Sequence, residues 1–145
     1  SLKRASDDTV VIHVGDGAHC RTGALFAFTT KIRQVSIDPE INEPLIGSWM
    51  TRWEVRRFTW HKARVEAIAA KDNYCDRPVI LTFVHAHVDV DAVLEMFPTW
   101  QAAFTLGCCK PSEQLSRKHA RTEGEDYSVL SPQRRYQVLL PPWRE

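Results

Sequence analysis

Two glycines and one aspartate near the start of the chain have the types and spacing that a nucleotide-like ligand requires. The apolar run Thr9–Val14 is interrupted at once by Gly15 and Gly17, and Asp38 follows them by about 20 residues, as a dinucleotide-type site needs. Glycines let the backbone turn tightly and approach a ligand where a Cβ atom would clash. An acid after the next strand can accept hydrogen bonds from ribose hydroxyls. The pattern therefore predicts an adenosine-type cofactor site.

A strand, a glycine turn, a helix and a second strand position these residues. Thr9–Val14 is apolar and β-branched, which is typical of a buried strand. Gly23–Phe28 predicts a buried helix, and Gln34–Ile37 predicts a second strand that ends at Asp38. Together they form a βαβ unit. The third glycine of G-x-G-x-x-G is absent, so an ordinary strand-to-helix turn of an α/β protein remains the alternative.

Polar and sulfur-containing side chains also follow the later predicted strands. The run Val79–Val84 is the most strand-like of the chain and predicts a central strand. Because ligands of open α/β sheets bind outside the carboxyl ends of the strands, we expect the residues after each strand to meet there. The residues expected at this edge are His19, Asp38, Trp60, His85, His87, Cys108, Cys109 and Lys110.

The rest of the chain alternates between predicted helices and strands, and ends in a hairpin. The further predicted elements are a third strand Trp53–Phe58, a helix His61–Lys71, a helix capped by Asp89 or Asp91, a fifth strand Ala102–Gly107, a basic helix Ser112–Ala120, a polar loop Thr122–Asp126 and hairpin strands Tyr127–Ser131 and Arg135–Leu140. Five strands separated by helices predict a mostly parallel sheet covered on both faces.

Composition favours one globular domain over the whole chain, 1–145. The 145 residues are 43% hydrophobic and 26% charged, and the net charge of +1 gives no global attraction to nucleic acid. No apolar run is long enough for a membrane span, and no signal peptide is evident. The four cysteines form no secreted disulfide pattern. We therefore expect an intracellular, cytoplasmic protein.

From Thr9 to Leu140 the chain resembles the class I S-adenosylmethionine-dependent methyltransferases. The resemblance rests on the alternation of elements, on the terminal hairpin and on the glycine motif, which reads His13-Val14-Gly15-Asp16-Gly17-Ala18-His19. In the family an acid precedes this motif and a third glycine closes it, so His13 and His19 are departures. The family's acid after the third strand is also missing, because Thr59-Trp60-His61 stands there on this assignment. The resemblance implies a three-layer α/β/α Rossmann-like sandwich with a seven-stranded, mostly parallel sheet and an antiparallel C-terminal hairpin.

The resemblance also implies a cofactor and a reaction. S-adenosylmethionine would be the methyl donor and S-adenosylhomocysteine the product. The implied cofactor-binding residues are Gly15, Gly17, His19, Asp38 and Trp60. The family places its reactive residues after the fourth strand, where His85, His87 and Asp89 stand, so these three are the candidate catalytic residues. The amino-directed nucleic-acid motif Asn-Pro-Pro-Tyr is absent from this position, and no lysine follows in the next helix.

RNA is a candidate acceptor because a basic run lies near the same predicted edge. Arg117, Lys118 and Arg121 could meet phosphates, although a solvated helix face is the alternative. A second hypothesis is a non-catalytic Rossmann-like domain that acts as a scaffold, forming an oligomer or part of a larger assembly. It is motivated by the two histidines in the glycine motif and the missing acid.

Two other kinds of site fit the sequence less well. His85, His87, Cys108 and Cys109 are suitable zinc ligands, but alternate strand residues face opposite sides and adjacent cysteines rarely share one ion, so we expect no metal. The segment that begins His19-Cys20 is similar to the loop of cysteine phosphatases. That loop needs an arginine six residues after the cysteine, where Phe26 stands.

Overall fold

The computed structural model describes residues 8–71, 74, 76–107, 115–129 and 134–143. Its strands and helices are β1 (Val10–Val14), α1 (Arg21–Thr29), β2 (Arg33–Ile37), α2 (Glu43–Arg52), β3 (Phe58–His61), α3 (Val65–Lys71), β4 (Val79–Val84), α4 (Val90–Met96), β5 (Trp100–Leu106), β6 (Ala120–Glu125) and β7 (Arg135–Leu139). The predicted βαβ unit and the predicted central strand are confirmed. The expectation that the helix over Gly23–Phe28 is buried is wrong, because Gly23 is the only buried residue among the described residues of α1 and its large apolar side chains Leu25 and Phe28 are exposed.

The seven strands form one sheet in the order β3-β2-β1-β4-β5-β7-β6. Strands β1 to β5 are parallel, and β7 is antiparallel to both of its neighbours, β5 and β6. The strand order therefore reverses between β1 and β4, and this switch point is where open α/β sheets bind ligands. The predicted mostly parallel sheet with an antiparallel C-terminal hairpin is confirmed.

The core lies on both faces of the sheet. On one face, the fully buried Ile12 and Leu81 pack in a large apolar cluster with Val65 of α3 and with Val93 and Leu94 of α4. The other face carries a smaller cluster with α1 and α2, whose buried members are Cys20, Ile41, Ile46 and Phe58. Helices therefore cover both faces of β1 and β2, which gives the three layers.

A carboxylate and a glycine fix the position of α1. The Asp16 carboxylate accepts hydrogen bonds from the backbone N–H groups of Thr22 (2.9 Å) and Gly23 (2.8 Å) and from the Ser36 hydroxyl (2.7 Å). It thereby satisfies donors of the first helical turn and ties that turn to β2. A Cβ atom on Gly23 would lie 2.7 Å from the Phe58 ring. This glycine allows the close helix-to-sheet packing.

The third strand lies closer to the C-terminus than its sequence pattern predicts. The alternating segment Trp53–Phe58 does not form the strand, because α2 continues to Arg52 and β3 begins only at Phe58. Glu54 and Arg57 have left-handed backbones, with φ of 50° and 62°, which extended strands do not contain. The helix predicted from His61 accordingly begins at Val65.

The first strand of the terminal hairpin is also displaced. It is β6, which occupies the predicted loop Thr122–Asp126, while residues 127–129 form a turn outside the sheet. The helix predicted over Ser112–Ala120 is not found in its described part, since residues 115–119 are not helical and Ala120 opens β6. The second hairpin strand is confirmed as β7.

Candidate functional site

A cavity of about 440 Å³ opens at the carboxyl ends of β1, β2 and β4. Its size is within the range of small-molecule sites. Its lining residues include Val14, Gly15, Ile37, Asp38, Ala63, Arg64, Val65, Glu66, His85, His87, Asp89, Ala92 and Met96. The cavity therefore lies at the switch point of the sheet, and both polar and apolar side chains line it.

Gly15 forms the part of this cavity that follows β1. Its φ is 68°, in the left-handed region, and its N–H donates to the Ile37 carbonyl oxygen at 2.9 Å. A Cβ atom here would lie 2.9 Å from the Ala86 Cβ. Position 15 therefore requires glycine both for its backbone conformation and for its space. Gly17 is also left-handed, with φ of 75°, but no atom lies within 4 Å of its ideal Cβ position.

Asp38 links the glycine turn to the end of β2. One carboxylate oxygen accepts the Gly17 N–H at 3.0 Å, and the other accepts the Glu40 N–H at 2.7 Å. An ionised carboxylate offers about four acceptor positions, so each oxygen keeps room for one more donor. Asp38 can stabilise the turn and still bind a pair of hydroxyl groups.

The three candidate catalytic residues all line the cavity. His85 has a left-handed backbone, with φ of 54°, and its N–H donates to the Leu106 carbonyl at 3.0 Å. Asp89 caps α4, because its Oδ1 accepts the Ala92 N–H at 3.1 Å. The segment from His85 to Asp89 is thus held at its start by a backbone hydrogen bond and at its end by the side-chain cap of α4. The predicted grouping of these residues with Gly15 and Asp38 is observed.

His13, at the start of the glycine motif, is buried in the sheet and does not line the cavity. The Gln34 side-chain oxygen can only accept, so His13 Nε2 donates to it at 2.7 Å. Nδ1 is then the acceptor for the Thr82 hydroxyl at 2.7 Å. Burial lowers the pKa of His13, and the neutral ring satisfies both partners.

Three of the residues assigned to the cofactor lie outside the cavity lining, namely Gly17, His19 and Trp60. His19 is exposed. Trp60 belongs to β3 and packs on the other face of the sheet, 6.3 Å from the Phe58 ring, where its Nε1 donates to Glu43 Oε1 at 3.3 Å. Its ring therefore packs on the face of the sheet that α2 covers.

The sequence reasoning missed the residues after β3. Ala63, Arg64, Val65 and Glu66 line the cavity next to Asp38. Glu66 is an acid that follows the third strand. The sequence pattern did not indicate it, because that strand was predicted at Trp53–Phe58 and not at Phe58–His61. Had β3 been placed at Phe58–His61, the same rule that selected Asp38 would have selected the residues that follow it.

Cysteine and metal chemistry gain no support from the described residues. Burial raises the pKa of the Cys20 thiol to about 12, which leaves it a protonated core residue. Among the residues that the structure describes, no group of three His, Cys, Asp or Glu side chains could hold a metal ion. Cys108, Cys109 and Lys110, expected at the same edge, lie outside the described residues.

The basic run lies partly beside α4. The Arg117 N–H donates to Asp91 Oδ2 at 2.9 Å, and Lys118 Nζ lies 3.7 Å from Glu95 Oε1. Because Asp91 and Glu95 belong to α4, whose Ala92 and Met96 line the cavity, this part of the run is near the site. Arg121 is exposed on β6.

Comparison with solved structures identifies the fold. The bifunctional kinase-methyltransferase WbdD matches with a TM-score of 0.64 at 16% identity, over 90% of this chain and 34% of that one. An rRNA methylase from Streptococcus thermophilus matches with a TM-score of 0.55 at 13% identity, over 95% and 89%. The chain has the class I methyltransferase fold. TrmK of M. capricolum, solved with S-adenosylhomocysteine, matches with a TM-score of 0.55 at 10% identity, over 94% and 63%.

These matches concern the methyltransferase fold alone. The chain spans about a third of the length of the WbdD structures it matches. No protein-family model matches the sequence. No curated protein matches it either. In the described part of the chain, no helix has the length and apolarity needed to cross a membrane.

Proposed function

We propose that the chain is an S-adenosylmethionine-dependent methyltransferase or a relative that binds this cofactor. The observation that carries the proposal is the cavity of about 440 Å³ at the switch point, bordered by Gly15 and Asp38. The TrmK structure with S-adenosylhomocysteine supports it, because that protein shares the fold and binds the cofactor's product. Phe26, Trp60 and His19, any of which could have filled the cavity, are not among its lining residues.

Each part of the cofactor would have its own contacts in the cavity. The methionine portion would lie against the Gly15 backbone, where the absence of a Cβ atom leaves room. The ribose hydroxyls would donate to the free acceptor positions of Asp38. Glu66 would take the role of the family's acid after the third strand, near the adenine. The apolar side chains Val65 and Ala63 would cover the base.

Methyl transfer needs an oriented nucleophile and a place for its proton. The sulfonium carries the reactivity, so the protein's main work is positioning. When bound, S-adenosylmethionine would supply the methyl group to the acceptor and would leave as S-adenosylhomocysteine, with Gly15 and Asp38 holding it in place. His85 or His87 would take the acceptor's proton. Asp89 holds the start of α4, and its Oδ2 forms no hydrogen bond within the described residues, so it can orient the acceptor.

Calorimetric titration with S-adenosylhomocysteine tests the cofactor proposal. Asp38→Asn should weaken binding by about 1–3 kcal/mol, the cost of losing a hydrogen bond to a charged acceptor. Glu40→Gln is the matched control, because Glu40 contacts Asp38 only through its backbone N–H, and it should bind as the parent does. Absence of heat at millimolar ligand would overturn the proposal.

RNA is the proposed acceptor class, supported by the basic side chains beside α4. Binding of a short RNA should weaken steeply with salt, because neutralised phosphates release counterions. Reversing the charges of Arg117 and Lys118 to Glu should reduce this salt dependence and leave the affinity for S-adenosylhomocysteine unchanged. A flat salt dependence in the parent protein would instead point to a small-molecule or protein acceptor.

A scaffold role is the second candidate, favoured by the outer side of α1. Leu25 and Phe28 are 60% and 58% exposed there, which is unusual for large apolar side chains on one helix. Light scattering should then show an oligomer that Leu25→Glu and Phe28→Glu convert to a monomer. A monomeric parent that binds the cofactor would reject this candidate.

A further inference from the structure

A second cavity, of about 570 Å³, lies at the β2–β3 edge of the sheet. Its lining residues are Arg33, Val35, Arg57, Phe58, Thr59, His61, Tyr74, Asp76 and Arg77. None of them lines the first cavity. Val35 and Tyr74 belong to the core cluster on the α3 side, and Phe58 belongs to the cluster on the α2 side. The second cavity therefore lies at the edge of the sheet and is separate from the first.

Three arginines face this cavity with a single carboxylate among the described lining residues. Within the described part of the chain, neither Arg33 nor Arg57 forms an ion pair. The Nε of Arg77 is buried without a hydrogen-bond acceptor, and its nearest carboxylate oxygen, Asp76 Oδ1, is 3.6 Å away. Clustered like charges repel each other, and a buried donor without an acceptor is costly. Asp76 therefore pairs with Arg77 alone, and Arg33 and Arg57 have no anionic partner within the described residues.

The neighbouring polar groups add neutral hydrogen-bonding capacity. The ring of His61 is hydrogen-bonded to the Tyr74 hydroxyl at 2.8 Å. Burial, with the nearby Lys71, lowers the pKa of His61, and burial raises the pKa of Tyr74. Both groups are therefore neutral near pH 7 and do not balance the arginines. Counting only the described lining residues, three arginines and one aspartate leave an excess of two positive charges.

Arg57 is held toward this edge at a conformational cost. Its backbone is left-handed, with φ of 62°, a conformation that is unfavourable for a residue with a Cβ atom. Its Nη1 donates to the Lys31 carbonyl at 2.6 Å, which fixes the guanidinium while leaving its other N–H groups available. A glycine would remove the strain but would also remove the guanidinium.

We propose that this cavity is a binding site for phosphoryl groups. The planar guanidinium groups match phosphate oxygens with paired hydrogen bonds, and an excess of two positive charges suits a phosphate better than a single carboxylate. The phosphoryl group belongs either to a free diphosphate-type ligand or to an RNA backbone. The proposal is independent of the cofactor site, since no lining residue is shared.

Calorimetry with inorganic pyrophosphate tests the site. The parent should bind it, and Arg33→Gln and Arg77→Gln should each weaken binding by about tenfold or more, the equivalent of one lost charged hydrogen bond. Arg52→Gln, at the end of α2, is the matched control and should bind as the parent does, because Arg52 is exposed and lines neither cavity. Because Arg77 is partly buried, the exposed Arg33 gives the variant whose folding is safe. Circular dichroism should confirm that every variant is folded.

No binding by the parent, or equal weakening in Arg52→Gln, would overturn the proposal. Competition then distinguishes the two sources once pyrophosphate binding is established. An oligoribonucleotide that displaces pyrophosphate from the parent assigns the site to an RNA backbone, and one that does not assigns it to a free diphosphate-type ligand. Binding of S-adenosylhomocysteine should be unchanged in Arg33→Gln, which separates failure of this site from failure of the cofactor proposal.

Discussion

At the scale of single residues, the two left-handed glycines of the turn after β1 differ in what surrounds them. Gly15→Ala adds a Cβ atom 2.9 Å from the Ala86 Cβ in a strained backbone, so it should destabilise the fold by about 2–4 kcal/mol. Gly17→Ala adds only the strain of a left-handed backbone, because no atom lies within 4 Å of the added Cβ atom. It should lower the free energy of unfolding by about 1–2 kcal/mol. Urea unfolding of the two variants gives the comparison. Equal losses would contradict the close contact at Gly15.

His13 makes stability depend on pH. Burial lowers its folded-state pKa below 6.5, so the unfolded chain takes up the proton first as the pH falls. The contribution of the neutral His13 ring to the free energy of unfolding is complete above about pH 6.5. It is lost as the pH falls below this value, with a slope of at most about 1.4 kcal/mol per pH unit. In His13→Gln, the free energy of unfolding should fall less steeply as the pH is lowered. Urea unfolding between about pH 7.5 and pH 5.5 measures this slope.

The exposed His19 provides the control for that experiment. His19→Gln should retain the parent's pH dependence, because His19 is outside the core. His61 also has a pKa lowered by burial and by Lys71, so some acid loss should survive in His13→Gln. If His13→Gln and the parent had the same slope, the buried neutral ring would be contradicted.

At the scale of elements, α1 and α2 each contain one glycine, and these should respond to alanine in opposite ways. Gly23→Ala places a Cβ atom 2.7 Å from the Phe58 ring, and should cost about 1–3 kcal/mol as α1 is pushed from the sheet. Gly47→Ala meets nothing within 4 Å and should stabilise α2 by up to about 1 kcal/mol. Chemical denaturation of both variants measures the difference. A neutral Gly23→Ala would show that α1 packs less closely.

Elements with apolar, β-branched sequences could be predicted from the sequence, and solvated ones could not. β1 and β4 are buried runs of such residues, and each was found within one residue of its position. β6 reads Ala-Arg-Thr-Glu-Gly-Glu and is largely exposed, so it carries no apolar pattern. It pairs through its backbone, and a Cβ atom on Gly124 would lie 2.9 Å from the Tyr136 hydroxyl oxygen. The residues near Gly124 in the sequence do not indicate that Tyr136 lies beside it.

The candidate site shows the same division. Gly15 and Asp38 could be predicted because a βαβ unit fixes where they must stand, and His85 and His87 because they follow the clearest strand. Glu66 was missed because Trp53–Phe58 alternates like a strand while left-handed residues at Glu54 and Arg57 interrupt it. Backbone conformations of this kind are imposed by packing, since both residues have side chains that disfavour them.

At the scale of the whole molecule, two separate cavities predict that two ligands stabilise the protein additively. A ligand that binds only the folded state adds about 2.7 kcal/mol at a hundred times its dissociation constant. With each ligand at a hundred times its dissociation constant, S-adenosylhomocysteine and pyrophosphate together should therefore raise the free energy of unfolding by about 5.4 kcal/mol. This is twice the effect of either ligand alone. Thermal unfolding with each ligand alone and with both measures the sum.

The single-site variants assign each part of that sum. At the same ligand concentrations, Arg33→Gln should lower the increase from pyrophosphate by about 1.3 kcal/mol or more and keep the increase from S-adenosylhomocysteine, and Asp38→Asn should do the reverse. The reason is geometric, because the linings of the two cavities have no residue in common, and effects at sites without shared partners usually add. If the second ligand gave no further increase after the first had saturated, the two would compete for one site. The arginine cavity and the switch-point cavity would then not be independent.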